Sequence, residues 1–136
     1  MLPTKQGQVA EIKFCYEAIK RGFEVLRPID HGSRYDAVVR IDNSKFLKVQ
    51  IKSTSKDLDK KPGRYQFQTS HGADNKKSYQ KENVDVFCFY IISLDIMYFI
   101  PIEYLPKTKK ISVNPTSNKC KYIGFKENWQ ILQKAN

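Results

Sequence analysis

The stretch Val86–Leu94 constrains the fold most. Its nine residues are apolar except for Ser93. A strand built from them carries apolar side chains on both faces and has to be covered on both. A membrane helix needs about twenty such residues, so the run reads as a buried central strand of a sheet. A chain of 136 residues can bury one such sheet and is short for two domains. The reading is therefore a single domain over 1–136. Hydrophobic residues at 40% and charged residues at 28% exclude a disordered or fibrous chain.

The flanking patterns say what covers that strand. From Lys5 to Arg21, Val9, Ile12, Tyr16 and Ile19 recur at spacings of three and four. This predicts a helix with those residues on its core face. Thr4 is placed to cap its start and Gly22 to end it. Glu24–Arg27 reads as a short strand stopped by Pro28, and Ile29–Arg34 as a turn-rich loop. Tyr35–Ile41 is strand-like, and Asp42-Asn43-Ser44 is a turn. Phe46–Ser53 alternates, with Leu47, Val49 and Ile51 on one side and Lys48, Gln50 and Lys52 on the other. The tight connection predicts a hairpin. Arg64–Ser70 alternates again, with Tyr65, Phe67 and Thr69 opposite Arg64, Gln66, Gln68 and Ser70. The polar stretch 75–83 reads as a short helix. Met97–Ile100 and Ile111–Val113 read as further strands, and Lys126–Leu132 as a short amphipathic end. Together these give an α/β class with a mixed sheet flanked by helices.

Charge narrows the partner. Lys and Arg number 24 against 14 Asp and Glu, a formal +10. An excess of this size points to an anionic partner, most simply nucleic acid. Cys15, Cys88 and Cys120 are odd in number and lack CxxC spacing, so they read as reduced thiols of an intracellular protein of the cytoplasm or nucleoid. The N-terminus has no apolar segment of the secretory kind. His31 and His71 are the only histidines, too few for a zinc finger or a His-rich metal site.

Three segments carry residue types suited to phosphodiester chemistry. Glu11 lies at the edge of the helix's apolar stripe. Asp36 opens a strand. Gln50 and Lys52 point the same way from the next strand, about 7 Å apart. In a hairpin, Asp36 faces Gln50 and Lys52. Hard oxygen donors hold Mg²⁺, a bound metal polarises a phosphoryl oxygen and activates water, and an ammonium neutralises developing charge. Each residue also has an ordinary reading. Glu11 could pair with a surface lysine, Asp36 could start a strand, and Gln50 and Lys52 could be the wet face of an edge hairpin.

In that order, Gly7-Gln8-Val9-Ala10-Glu11, Arg21-Gly22-Phe23-Glu24-Val25, Tyr35-Asp36 and Val49-Gln50-Ile51-Lys52-Ser53 resemble the core of the PD-(D/E)xK nucleases. Within that superfamily the chain is most similar to small homing endonucleases encoded in group I introns, and more distantly to archaeal Holliday-junction resolvases. The resemblance runs closely over 5–53 and loosely through Asp85-Val86-Phe87 and Tyr98-Phe99-Ile100-Pro101. It implies a mixed sheet flanked by helices. It implies Asp36 as central metal ligand, with Glu11, Gln50 and the carbonyl of Ile51 as further ligands for Mg²⁺ or another divalent cation. Lys52 stands as the motif lysine, so the catalytic set is Glu11, Asp36, Gln50 and Lys52. Two positions depart from the motif: Tyr35 replaces Pro, and Gln50 replaces Asp or Glu, which removes one negative charge.

The implied activity is sequence-specific, metal-dependent cleavage of double-stranded DNA by a homing enzyme. A junction resolvase and a non-catalytic DNA-binding module on the same fold are the alternatives. One cleft per chain and two strands to cut imply a homodimer or homotetramer. For reading bases, Arg64, Gln66, Gln68 and Ser70 share one strand face, and a two-stranded ribbon fits the major groove. For phosphate contacts, Lys76, Lys77, Lys109 and Lys110 belong to lysine-rich stretches. Seven lysines stand against one glutamate from Tyr104 to Asn136.

Overall fold

The computed structural model describes residues 1–71 and 77–133. Its centre is a mixed sheet of β1 (Glu24–Leu26), β2 (Ala37–Arg40), β3 (Phe46–Thr54), β7 (Val86–Ile91) and β8 (Ile96–Pro101), in the order β1-β2-β3-β7-β8. The apolar run forms β7, and all six of its residues are buried. It sits between β3, to which it is parallel, and β8, to which it is antiparallel. Parallel neighbours need a long crossover. Here that crossover contains β4 (Tyr65–Gln68), β5 (Ser70–His71) and β6 (Lys77–Ser78). The expected hairpin is β2 and β3, paired Ala37↔Val49 through Arg40↔Phe46.

Helix α1 (Pro3–Lys20) covers one face of the sheet, but not with the stripe its sequence suggests. Ala10, Phe14 and Ala18 are the buried residues, whereas Ile12, Tyr16 and Ile19 are 62%, 58% and 60% exposed. Val9, the fourth residue of the stripe, is exposed as well. The reason is steric. Two alanines a turn on either side of Phe14 let the helix axis approach the sheet and seat the ring against Phe99 and Trp129. Thr4 does not cap the helix. Leu2 is the capping residue, without a side-chain bond, and Pro3 supplies the first turn, where a missing N–H costs nothing. At the other end Gly22 adopts φ +92. Its N–H reaches the Ile19 carbonyl, and that of Phe23 reaches Ala18, the paired closure that a left-handed glycine permits.

The opposite face packs against the ribbon of β4 and β9 (Lys110–Val113). Phe67, Phe87, Phe89, Tyr98, Ile100, Ile111 and Val113 form that second core. Two elements differ from expectation. Residues 77–83 hold the short strand β6 and a turn instead of a helix, and 75–76 lie outside the described residues. Over 126–132 only α2 (Gln130–Gln133) is helical at its start.

Candidate active site

The site is assembled where β2 begins beside the middle of β3. The β2–β3 pairing ends at Ala37↔Val49, so Asp36, the residue just before β2, lies beside the Gln50–Ile51 stretch of β3. Two bonds lock this register. The Asp36 N–H donates to the Val49 carbonyl at 2.9 Å, and the Ile51 N–H donates to Asp36 Oδ2 at 2.9 Å. A residue's N–H and C=O leave an extended strand on the same edge. The Ile51 carbonyl is therefore directed to the same edge as Asp36. Lys52, two residues beyond Gln50, shares its face. Glu11 reaches the same region from the flank of α1. It is ion-paired with Arg27, which directly follows β1.

The Asp36 carboxyl feels the charged groups around it. Burial raises the Asp36 carboxyl to about 6, and the charge of Glu11 adds to the shift. The Ile51 N–H, Lys52 and Arg27 act in the opposite direction. A carboxylate held at a cost among low-dielectric neighbours is a mark of functional sites. Gln50 is 9% exposed, and among the described residues its amide meets no hydrogen-bond partner. Asp36 Oδ1 likewise accepts none. No group of three His, Cys, Asp or Glu side chains able to hold a metal occurs among the described residues. The oxygen donors at hand are two carboxylates, one amide and one peptide carbonyl, a hard set of the kind that suits Mg²⁺.

Other residues belong to this site without being legible from spacing. Arg27 is one. Tyr79 is another: the Lys52 ammonium lies 5.3 Å from its ring centroid, and the charge of Asp36 adds to the burial that pushes its hydroxyl up to about 12. Lys52 also donates to the backbone carbonyl of Ser70 at 3.3 Å. Cys15, one turn beyond Glu11, is half-buried, and burial raises its thiol while the Arg27 charge draws it back.

The residues expected to contact DNA are divided. Gln66 and Gln68 stand opposite Ser112 and Lys110 on the outer face of the β4–β9 ribbon, and Phe67 is buried on its inner face. Arg64 flanks the ribbon and donates to Ser112 Oγ at 3.3 Å. Lys109 immediately precedes β9 and is exposed. Ser70 does not belong to this set. The alternation stops at Thr69, and Ser70 is 3% exposed in β5, turned inward where its carbonyl meets Lys52. Lys77 lies in β6. Lys76 falls outside the described residues. Two grooves of about 450 and 460 Å³ are lined mostly by other residues. One is lined by Phe46, Asp85 and Tyr104, and the other borders the site through Tyr79.

A family model described as PD-(D/E)XK endonuclease matches residues 1–132. The chain belongs to the PD-(D/E)XK endonuclease family, whose members are nucleases that generally use divalent metal ions. Among solved structures, a bacterial homing endonuclease, I-Ssp6803I, is similar in fold. It has a TM-score of 0.83 over 98% of this chain and 94% of that one, at 22% identity. No curated protein matches the chain. The mixed sheet flanked by helices is the fold anticipated above. No helix among the described residues is long and apolar enough to cross a membrane.

Proposed function

We propose that this chain is a Mg²⁺-dependent homing endonuclease, one nuclease domain over 1–136, that makes a sequence-specific double-strand break in DNA. The observation that supports this most is the Ile51 N–H bond to Asp36. It draws the strand-opening carboxylate onto the Gln50–Lys52 segment, within electrostatic reach of Glu11.

Asp36, Glu11, Gln50 and the Ile51 carbonyl are the ligand set. Bound Mg²⁺ would supply Lewis acidity and a more acidic water. The remaining chemistry belongs to the chain. Lys52 is held by the Tyr79 ring and the Ser70 carbonyl, so its ammonium is fixed before the substrate arrives. It neutralises the charge that gathers on the phosphoryl oxygens as water attacks phosphorus and the bond to the leaving sugar oxygen breaks. Preorganisation of this kind lowers the barrier because no reorientation is left for the reaction itself.

The ribbon formed by β4 and β9 supplies base contacts through Arg64, Gln66 and Gln68. Lys109, Lys110, Lys76 and Lys77 supply phosphate contacts. A single site cuts a single strand, so two chains, as a dimer or within a tetramer, act on one duplex. The +10 charge fits an intracellular nucleic-acid partner.

Incubating the protein with a plasmid library, with and without Mg²⁺, and sequencing the cut ends tests the reading. The expected result is double-strand ends at one long sequence, absent with EDTA. Cleavage of branched DNA irrespective of sequence would establish the resolvase alternative. Binding without cleavage under every divalent metal would establish the non-catalytic one.

A further inference from the structure

We propose that Arg27 is a displaceable counter-ion. Its guanidinium holds the metal-binding carboxylate of Glu11 in the metal-free protein, gives that carboxylate up when a divalent cation binds, and then contacts the scissile phosphate. This inference rests on the nuclease reading above.

Three features carry it. The first is the pairing itself. Arg27 donates from Nη2 to Glu11 Oε1, so one oxygen of the proposed ligand is already taken by a cation. The second is the charge count. The negative charges of Glu11 and Asp36 already face the cations Lys52 and Arg27, and Arg34 adds positive charge beside Tyr79, so the carboxylates are not without counter-charge before a metal arrives. Gln50, standing where a third carboxylate is expected, leaves only two negative charges to be balanced. A divalent ion entering this site meets a guanidinium competing for the same oxygen. The third is mobility by construction. Arg27 follows the last residue of β1, precedes Pro28, and its side chain is 49% exposed against 28% for Glu11. It can therefore swing away without disturbing a packed element.

Once released, the guanidinium stands beside the occupied site, where the substrate presents phosphate oxygens. A planar fork of N–H donors matches those oxygens, and lysine does not reproduce that geometry. The two halves of the role have opposite consequences for a truncated side chain, which separates them from simple support of Glu11.

The experiment is calorimetric titration of the full chain with Mg²⁺ and with Ca²⁺ in the absence of DNA, followed by single-turnover cleavage at saturating Mg²⁺. It compares wild type, Arg27→Ala and Arg27→Lys, with melting curves to show that each is folded. Arg27→Ala is expected to bind metal about fivefold more tightly, the fold-change corresponding to loss of a partly exposed ion pair of about 1 kcal/mol. It is also expected to cleave at least about tenfold more slowly, in proportion to a lost charge-assisted phosphate contact. Arg27→Lys is expected to bind metal like wild type and to cleave slowly. If Arg27→Ala binds metal more weakly, and excess Mg²⁺ restores its cleavage, Arg27 only orients Glu11 and the proposal is overturned while the nuclease reading stands. If wild type neither binds either metal nor cleaves, both fail together.

Discussion

At the residue scale, Asp36 carries the most physical information. Its carboxyl is raised from 3.8 to about 6 in the folded chain. Between those values the native state binds the proton and the unfolded state releases it, so metal-free stability falls as pH rises through that window and stays low above it. Removing the charge should therefore stabilise. Asp36→Asn keeps an oxygen for the Ile51 N–H, and in EDTA at pH 7 it should raise unfolding free energy by on the order of 3 kcal/mol. The gain should vanish below pH 4, as read by urea denaturation at the two pH values. A destabilised Asp36→Asn at pH 7 would show that the carboxylate is a structural partner instead of a strained ligand. The same substitution should abolish cleavage. Asp36, Gln50 and Lys52 were legible in the sequence because strand alternation and a two-residue spacing are local facts. Arg27 and Tyr79 were not, since they reach the site only through the β1–β2 pairing and the crossover between β3 and β7.

At the element scale, α1 shows where periodicity misleads. The stripe Val9, Ile12, Tyr16 and Ile19 satisfies a helical period, yet the helix turns its alanines and Phe14 to the sheet. Hydropathy registers large side chains, whereas close approach to a sheet is governed by small ones. Mutations should respect the observed face. Phe14→Ala, at 0% exposure, should cost about 3–5 kcal/mol, whereas Ile12→Ser should stay within about 0.5 kcal/mol, both measured by denaturant unfolding of the same preparation. Equal losses at the two positions would restore the hydropathic face. The β2–β3 hairpin and the buried β7 were legible, because each rests on alternation or on an unbroken apolar run. The region 77–83 was not: its polar, basic composition suits a helix or a loop equally, and only pairing across β5 and β6 makes Lys77–Ser78 a strand.

At the scale of the whole molecule, the family rests on a match that spans residues 1–132, and the fold on a mixed sheet covered by α1 on one face and by the β4–β9 ribbon on the other. Charge then predicts how DNA is held. If Arg64, Lys109 and Lys110 contact phosphate and base edges, log Kd against log salt should be steep. Each phosphate-contacting lysine replaced by alanine should reduce the slope by about 0.9. A slope unchanged by Lys109→Ala and Lys110→Ala would move the DNA to another face. The proposed pairing of chains predicts a sedimentation mass at two or four times 15.9 kDa, and a strictly monomeric protein on DNA would nick instead of breaking the duplex. The most direct measurement is cleavage of supercoiled and linear DNA by wild type and Lys52→Ala, each in Mg²⁺ and in EDTA. The account predicts cutting by wild type in Mg²⁺ alone, with Lys52→Ala folded, bound to DNA and slower by at least about a hundredfold. Equal cutting by the two proteins, or cutting that persists in EDTA, would contradict it.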